Sequence, residues 1–194
     1  MDDPTWQWVD YSFQGDYAIQ WSDMPTDSWA SLDYWVNDSD REMRRLSEMF
    51  DDNYSLFGST DITFHDARQS GLGDCWIHAA ASVVALDPQR IKDIFVTDKL
   101  NKAGVYTVNM YMLGIPTTVT VDEFLPARKN SEWDYDNQEY VDFWAPTFAV
   151  ASRDGSLWMP ILEKAAAKLY GNYEMLQGGF MGPAVQSLTG APYY

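Results

Sequence analysis

The chain has 194 residues and carries 13 basic against 29 acidic side chains, which gives a formal net charge of −16 at neutral pH. Such an acidic balance argues against binding to nucleic acid or to an anionic membrane surface, because both require basic side chains. The length is sufficient to bury one substantial hydrophobic core. A single cysteine excludes an internal disulfide and is typical of a reducing compartment, so we expect the cytoplasm.

The segment 1–52 is expected to form an irregular, acidic N-terminal arm. Its start lacks the basic and apolar runs of a signal peptide, and no apolar run in the chain approaches the roughly 20 residues of a membrane span. Tryptophans are concentrated here among Asp and Ser, without a helical or strand period, at Trp6, Trp8, Trp21, Trp29 and Trp35. We expect these rings to pack either on the core of the chain or on another protein. Within the arm, the spacing of apolar residues predicts a helix over 38–50.

Residues 53–194 show the alternating helical and strand patterns of an α+β fold. The apolar spacing after Cys75 predicts a helix whose inner face carries Trp76, Ala79, Ala80, Val83 and Val84. The elements predicted for this segment are helices at 75–86, 88–95, 156–170 and 182–188, strands at 105–112, 117–124 and 147–151, and a loop at 129–142. The first two strands are separated by four residues that include Gly114 and Pro116, which predicts a hairpin.

The most informative stretch is 69–76, Gln-Ser-Gly-Leu-Gly-Asp-Cys-Trp, in which the single cysteine follows two glycines and an aspartate. Cys75 is predicted to begin a helix, where the positive end of the backbone dipole and unbonded N–H groups favour its thiolate. Gln69 can turn its side-chain N–H toward the same point. This is the layout of a cysteine nucleophile with an oxyanion hole built from Gln69 and the Cys75 backbone N–H.

The stretch closely resembles the nucleophile signature of the calpains, which are papain-like intracellular cysteine proteases. It departs in one place, because Ser70-Gly71 stands where many members have Gly then Ala. Two further stretches are similar in the same chain order, namely 119–126 with its Asp and Leu-Pro, and 162–174 with its Gly-Asn-Tyr-Glu ending. The resemblance implies that 53–194 form the N-terminal lobe of a calpain protease core. Such a lobe is papain-like, with a central helix that begins at Cys75, a small antiparallel sheet and additional helices.

In calpains the general-base histidine and its asparagine partner come from the second half of the core. The resemblance therefore implies that this chain needs a second protease lobe to complete a catalytic triad. The two histidines of the chain are His65 and His78. His78 lies one turn after Cys75 on the same helix, so we expect a packed core histidine there, and we expect His65 on the surface.

The resemblance also implies a calcium site in this half of the core. The matching positions are Asp66 for a carboxylate ligand, and Ser59 and Asp61 for backbone carbonyl ligands. The glutamate that completes the family's site falls on Ser156, which is a poorer ligand for a cation that prefers carboxylates. We therefore expect Ca²⁺ to bind weakly or not at all.

Two functions follow from these residues. In the first, the chain is a calpain-type endopeptidase lobe that acts on protein substrates, with Cys75 as nucleophile and Gln69 as oxyanion donor, and it is inactive by itself. In the second, it is a non-catalytic, calpain-derived scaffold that binds protein partners, which the incomplete site and the aromatic arm favour. A third interpretation, carbohydrate binding through exposed tryptophans, depends on the tryptophan count alone.

Overall fold

The structure of the chain, a computed structural model, describes residues 6–21 and 31–193. Its helices are α1 Gly15–Ile19, α2 Asp33–Val36, α3 Leu46–Met49, α4 Cys75–Val84, α5 Pro88–Ile94, α6 Trp158–Tyr170 and α7 Met181–Thr189. Its strands are β1 Arg41–Arg45, β2 Val105–Met112, β3 Ile115–Asp122, β4 Phe124–Asp134 and β5 Glu139–Pro146. Short 3-10 turns cover Phe64–Asp66 and Glu174–Leu176. Helices and small antiparallel sheets in one chain confirm the predicted α+β class.

The predicted hairpin over 105–124 is confirmed by strands β2 and β3. Their antiparallel register runs from Val105 opposite Asp122 to Met112 opposite Ile115. The connection is the tight turn Leu113-Gly114, where both residues have positive φ, 52° and 80°. Two successive residues with positive φ match the twist of a hairpin, and glycine adopts that conformation without steric cost.

A second sheet has the order β1-β4-β5 and corrects two predictions. The helix predicted over 38–50 is wrong, because Arg41–Arg45 pairs with β4 and only the following four residues are helical. The loop predicted over 129–142 is also wrong, because β4 and β5 form a long hairpin. Cross-strand contacts such as the edge-to-face pair of Trp133 and Tyr140, 5.0 Å apart, stabilise this hairpin in place of a buried face.

Helix α4 is confirmed, although its buried face differs from the predicted one. The buried positions are Trp76, Ile77, His78, Ala80, Ala81 and Val84, whereas Ala79 and Val83 are exposed. The small alanines allow α4 to lie close to α6 and α7. Helix α6 is buried over its first ten residues and lies at the centre of the core. The strand predicted at 147–151 is wrong, since within that described stretch Val150 forms an isolated bridge with Arg68.

The described part of the segment 1–52 packs on the core of the same chain. Phe13, Ile19, Leu32 and Trp35 are buried, whereas Trp6 and Trp21 are exposed. The Asp10 carboxylate accepts a hydrogen bond from Lys168 Nζ at 2.5 Å. The Tyr173 N–H donates to the Ala18 carbonyl at 2.9 Å, which attaches α1 to the segment after α6. Trp29 lies outside the described residues.

Candidate active site

Cys75 is the first residue of α4, and its side chain is exposed to solvent. Asp74 occupies the N-cap position, and its backbone carbonyl accepts the N–H groups of Ile77 and His78 at 2.9 and 3.3 Å. The aligned peptide dipoles of this 10-residue helix place partial positive charge beside the thiol. An exposed thiol at a helix N-terminus is the environment that a nucleophilic thiolate requires.

The two glycines of the cysteine motif allow its loop to approach neighbouring backbone. The Gly71 N–H donates to the Thr147 carbonyl at 2.8 Å, and a Cβ built on Gly71 would lie 2.8 Å from the same oxygen. The Gly73 carbonyl accepts the Gly178 N–H at 2.9 Å. Any larger residue at position 71 would push the loop away from the strand end, so these contacts fix the backbone that leads to Cys75.

Trp76, the residue after Cys75, attaches α4 to the segment that follows α6. Its indole N–H donates to the Leu176 carbonyl at 2.8 Å, and its ring packs edge-to-face on Tyr170 at 5.5 Å. Gly179 lies so close that a Cβ there would be 2.5 Å from the Trp76 ring. The cysteine motif and the residues that flank the Gly-Asn-Tyr-Glu stretch, which are far apart in sequence, are therefore in direct contact.

Gln69 is exposed, and its side-chain amide donates to the Leu72 carbonyl at 2.6 Å. This hydrogen bond holds the amide within the loop that precedes Cys75. The amide nitrogen carries two N–H groups. One of them can therefore stay on Leu72 while the other is available to a substrate oxygen.

The two histidines lie in different environments, as the sequence predicted. His65 is exposed and contacts the Phe64 ring, with the ring centres 3.9 Å apart. His78 is buried, with its Nε2 3.4 Å from Asp74 Oδ2 and 3.3 Å from Glu163 Oε1. Burial lowers the pKa of His78, but Asp74 and then Glu163 outweigh this effect and raise the pKa to about 10. The Asp74 contact could have been found from the i, i+4 spacing, whereas nothing local pointed to Glu163.

The residues predicted to bind calcium are held by contacts of their own. The buried Asp66 carboxylate accepts hydrogen bonds from the Thr63 N–H at 2.8 Å and from the Trp158 indole N–H at 3.3 Å. The Asp61 carboxylate pairs with Lys92 Nζ at 2.7 Å. The Ser59 hydroxyl donates to the Asp154 carbonyl at 3.4 Å.

The segment just before α6 contributes two residues, Asp154 and Ser156, that contact the chain around Ser59. The Ser156 hydroxyl is buried and donates to the Leu56 carbonyl at 3.4 Å. The Asp154 carboxylate, which the sequence reasoning did not single out, accepts hydrogen bonds from the N–H and hydroxyl of Thr60 at 3.4 and 3.0 Å. Asp154 is thus the carboxylate that faces the loop next to Ser59 and Asp61.

Within 6–21 and 31–193, none of the helices combines the length and the apolar character that crossing a membrane requires.

Comparison with known proteins identifies the family. The pattern described as calpain family cysteine protease matches residues 27–194. A calpain-type cysteine protease of rice is 35% identical over 132 residues, which is 68% of this chain and 6% of that protein. The maize protein named calpain-type cysteine protease DEK1 gives the same identity and coverage. Human calpain-12 is 32% identical over 133 residues, which is 67% of this chain and 17% of that protein.

These relatives are much longer than the segment they share with the chain, which spans between 6% and 17% of their length. The match nevertheless includes the cysteine motif, the segment after α6 that contacts it, and the strands between them. The chain belongs to the calpain family of cysteine proteases.

Proposed function

We propose that the chain is the N-terminal lobe of a calpain-type cysteine endopeptidase, with Cys75 as its nucleophile. The observation that carries the proposal is the exposed Cys75 side chain at the start of α4, in a loop that Gly71 holds against neighbouring backbone. The lobe becomes competent when a second protease lobe supplies a histidine and an asparagine. We also propose a cytoplasmic location, because an exposed catalytic thiol must remain reduced.

In the complete enzyme, the Cys75 sulfur attacks the carbonyl carbon of a peptide bond. The electrons of the C=O double bond move to oxygen, and the oxyanion accepts hydrogen bonds from the Cys75 N–H and the Gln69 amide. The imidazole of the second lobe takes the thiol proton and delivers it to the amide nitrogen as the C–N bond breaks, which releases the amine product and leaves a thioester on Cys75. Water then hydrolyses the thioester, which releases the second product and restores the thiol.

The histidines of this lobe are poorly suited to act as that base. His78 has its Nε2 between two buried carboxylates, and its imidazole is already engaged behind the helix start. His65 lies in the exposed turn before the motif and contacts Phe64. We therefore propose that the chain alone does not hydrolyse peptides.

Calcium binds this lobe weakly or not at all in our proposal. The carboxylate of Asp66 is engaged by Thr63 and Trp158, and Ser156 offers a buried hydroxyl where the family has a glutamate. A hard cation needs several oxygen ligands with carboxylates among them. Calorimetry with Ca²⁺ tests this proposal, and Ser156→Glu should strengthen any binding. A micromolar site that Asp66→Ala abolishes would contradict it.

A second candidate function, a non-catalytic scaffold, is favoured by the hairpin of β4 and β5. This hairpin exposes several aromatic rings beside carboxylates, at Trp133, Tyr135, Tyr140 and Phe143. Exposed apolar groups that cluster on one element commonly mark a protein-binding surface. Such a surface is compatible with either function, so it does not replace the proteolytic assignment.

The two functions are separated by an assay of the whole chain with a fluorogenic peptide. We expect no turnover by the chain alone, and turnover when the second core lobe of a calpain is added in trans. The Cys75→Ala variant should abolish that activity, and Gln69→Ala should reduce kcat roughly 100-fold, the usual cost of losing one oxyanion donor. Turnover by the isolated chain that Cys75→Ala removes would refute the need for a second lobe. Failure of complementation, with Cys75 no more reactive than in the unfolded chain, would favour the scaffold.

A further inference from the structure

A buried cluster of three potential metal ligands lies directly behind the start of α4. Asp74 and His78 are one turn apart at the beginning of the helix, and Glu163 approaches them from α6. The three residues are 0%, 5% and 2% exposed. One ligand atom from each side chain lies within 4.8 Å of the other two. The proposed catalytic reaction uses none of these three side chains.

An imidazolium alone does not satisfy the groups in this cluster. The same atom, His78 Nε2, faces both carboxylates at 3.4 and 3.3 Å, which is longer than the ~2.7–2.9 Å of charge-assisted hydrogen bonds. One N–H cannot donate well to two acceptors at once. Among the described residues, neither carboxylate oxygen of Asp74 has a hydrogen-bond partner, and His78 Nδ1 has none either.

The charges of the three side chains also favour a cation in the cluster. Two carboxylates and one imidazolium leave one uncompensated negative charge in the interior, where an unbalanced charge is costly. A divalent cation would balance both carboxylates and leave the histidine neutral.

We propose that Asp74, His78 and Glu163 bind a transition-metal ion, for which Zn²⁺ is the best match. Nitrogen and oxygen ligands bind Zn²⁺ at about 2.0–2.2 Å, which places tetrahedral ligands about 3.3–3.6 Å apart. The two distances from His78 Nε2 lie in that range. Imidazole among the ligands favours zinc over calcium or magnesium.

The surroundings of the cluster support a closed, structural site. The Ala149 N–H donates to Glu163 Oε2 at 3.0 Å, which orients the carboxylate and leaves Oε1 toward His78. The second oxygen of Asp74, which has no other partner among the described residues, can complete four-coordination. A bound ion would link α4 to α6 through the residue that immediately precedes Cys75. The inference goes beyond the proposed function and does not depend on it.

The first test measures the metal content of the full 194-residue chain, produced without a histidine tag. Cys75→Ser and His65→Ala are introduced together, since they remove the other thiol and imidazole ligands of the chain. This parent should retain about one Zn²⁺ per chain by elemental analysis, and adding Zn²⁺ after chelation should raise its Tm. In the parent background, His78→Leu should lower the retained zinc at least tenfold and remove the effect on Tm.

If His78→Leu fails to fold, the Glu163→Gln variant and the absorption spectrum of bound Co²⁺ still test the proposal. Glu163→Gln retains the side-chain size and an oxygen that can accept the Ala149 N–H, but it should weaken Zn²⁺ binding at least tenfold. Co²⁺ added to the chelated parent should give the intense visible bands of a four-coordinate ion. A parent that retains no zinc and gives only the spectrum of hydrated Co²⁺ would overturn the proposal. Zinc retention that neither His78→Leu nor Glu163→Gln changes would overturn it equally.

Discussion

Replacing Lys164 by methionine removes the positive charge from an ion pair that is fully buried. Lys164 Nζ donates to the Asp122 carboxylate and to the Phe124 carbonyl, and neither Lys164 nor Asp122 has solvent-exposed surface in its side chain. Asp122 also accepts the Asp10 N–H at 2.7 Å and the Phe124 N–H at 3.0 Å. The pair therefore joins α6 to the corner between β3 and β4 and to the segment 1–52.

The magnitude follows from what the substitution leaves behind. Methionine fills much of the space of the lysine stem, so the loss is mainly electrostatic. Asp122 would keep two N–H donors but lose its counter-charge, and breaking a buried pair in this way costs about 3–5 kcal/mol. Ordinary domains have a free energy of unfolding of about 5–15 kcal/mol. We therefore expect Lys164→Met to lower Tm by about 10 °C, since 1 kcal/mol shifts Tm by roughly 2–4 °C at this size.

Urea unfolding followed by tryptophan fluorescence and circular dichroism measures this effect. The matched control is Lys129→Met, which breaks the exposed pair of Lys129 with Asp142 and should cost less than about 1 kcal/mol. The double variant Lys164→Met/Asp122→Asn should recover part of the loss, because the buried negative charge is gone. A Lys164→Met chain within about 1 kcal/mol of the unmodified chain would refute the reasoning.

Three further predictions use single substitutions or reagents. Gly179→Ala should destabilise the chain by about 1–3 kcal/mol in urea unfolding, because its Cβ would overlap the Trp76 ring, and an unchanged midpoint would contradict the close packing. Burial raises the pKa of Asp10, but hydrogen bonds from Lys168 and Ser12 outweigh this effect and hold the pKa below its usual value of 3.8. The ionised Asp10 therefore stabilises the folded chain above pH 3.8, and this stabilisation is lost as the pH falls through the lowered pKa. Asp10→Asn should therefore flatten the loss of stability below about pH 4 in acid titrations, and an unchanged acid profile would refute the assignment. Iodoacetamide should label native Cys75 completely, as mass spectrometry can measure, and protection until unfolding would show that the thiol is not accessible.

The parts of the site that depend on local chemistry could be predicted from the sequence. The start of α4 at Cys75 followed from glycine, aspartate and a run of small residues, all within a few positions of each other. The hairpin of β2 and β3 followed from β-branched residues on both sides of a short connection that contains Gly114. In each case the residues that determine the structure are neighbours in the chain.

The helix predicted over 38–50 and the loop predicted over 129–142 were wrong because the local sequence pattern does not indicate which strand each segment pairs with. Met43, Leu46, Met49 and Phe50 have a helical spacing, yet residues 41–45 are a strand because their backbone pairs with β4. Arg44 and Arg45 also lie over the rings of Trp144 and Phe124, at 4.3 and 4.2 Å, which needs the extended strand. The hairpin of β4 and β5 has polar and aromatic residues on largely exposed faces, so it lacks the alternation that marks a half-buried strand.

The contacts between distant segments could not be predicted at all. Glu163 is 85 residues from His78, and Lys164 is 42 residues from Asp122. The sequence reasoning noted the stretches 119–126 and 162–174 separately, because each is similar to the calpains. Neither stretch contains a local pattern that predicts the ion pair between Lys164 and Asp122. Such pairings become visible only when α6 is placed between the sheet and α4.

The adjacent charges on α6 have separate structural roles, which follows from the directions of their side chains. Glu163 reaches toward α4 and the Ala149 N–H, so its charge acts on His78 and on Asp74, the residue immediately before Cys75. Lys164 reaches toward the corner of β3 and β4, where Asp122 also holds the segment 1–52. Substitution of Glu163 should therefore alter Cys75 alkylation more than attachment of the first segment, whereas Lys164→Met should have the opposite effect. One helix thus connects the start of α4 at Cys75 to the rest of the fold through two oppositely charged neighbours.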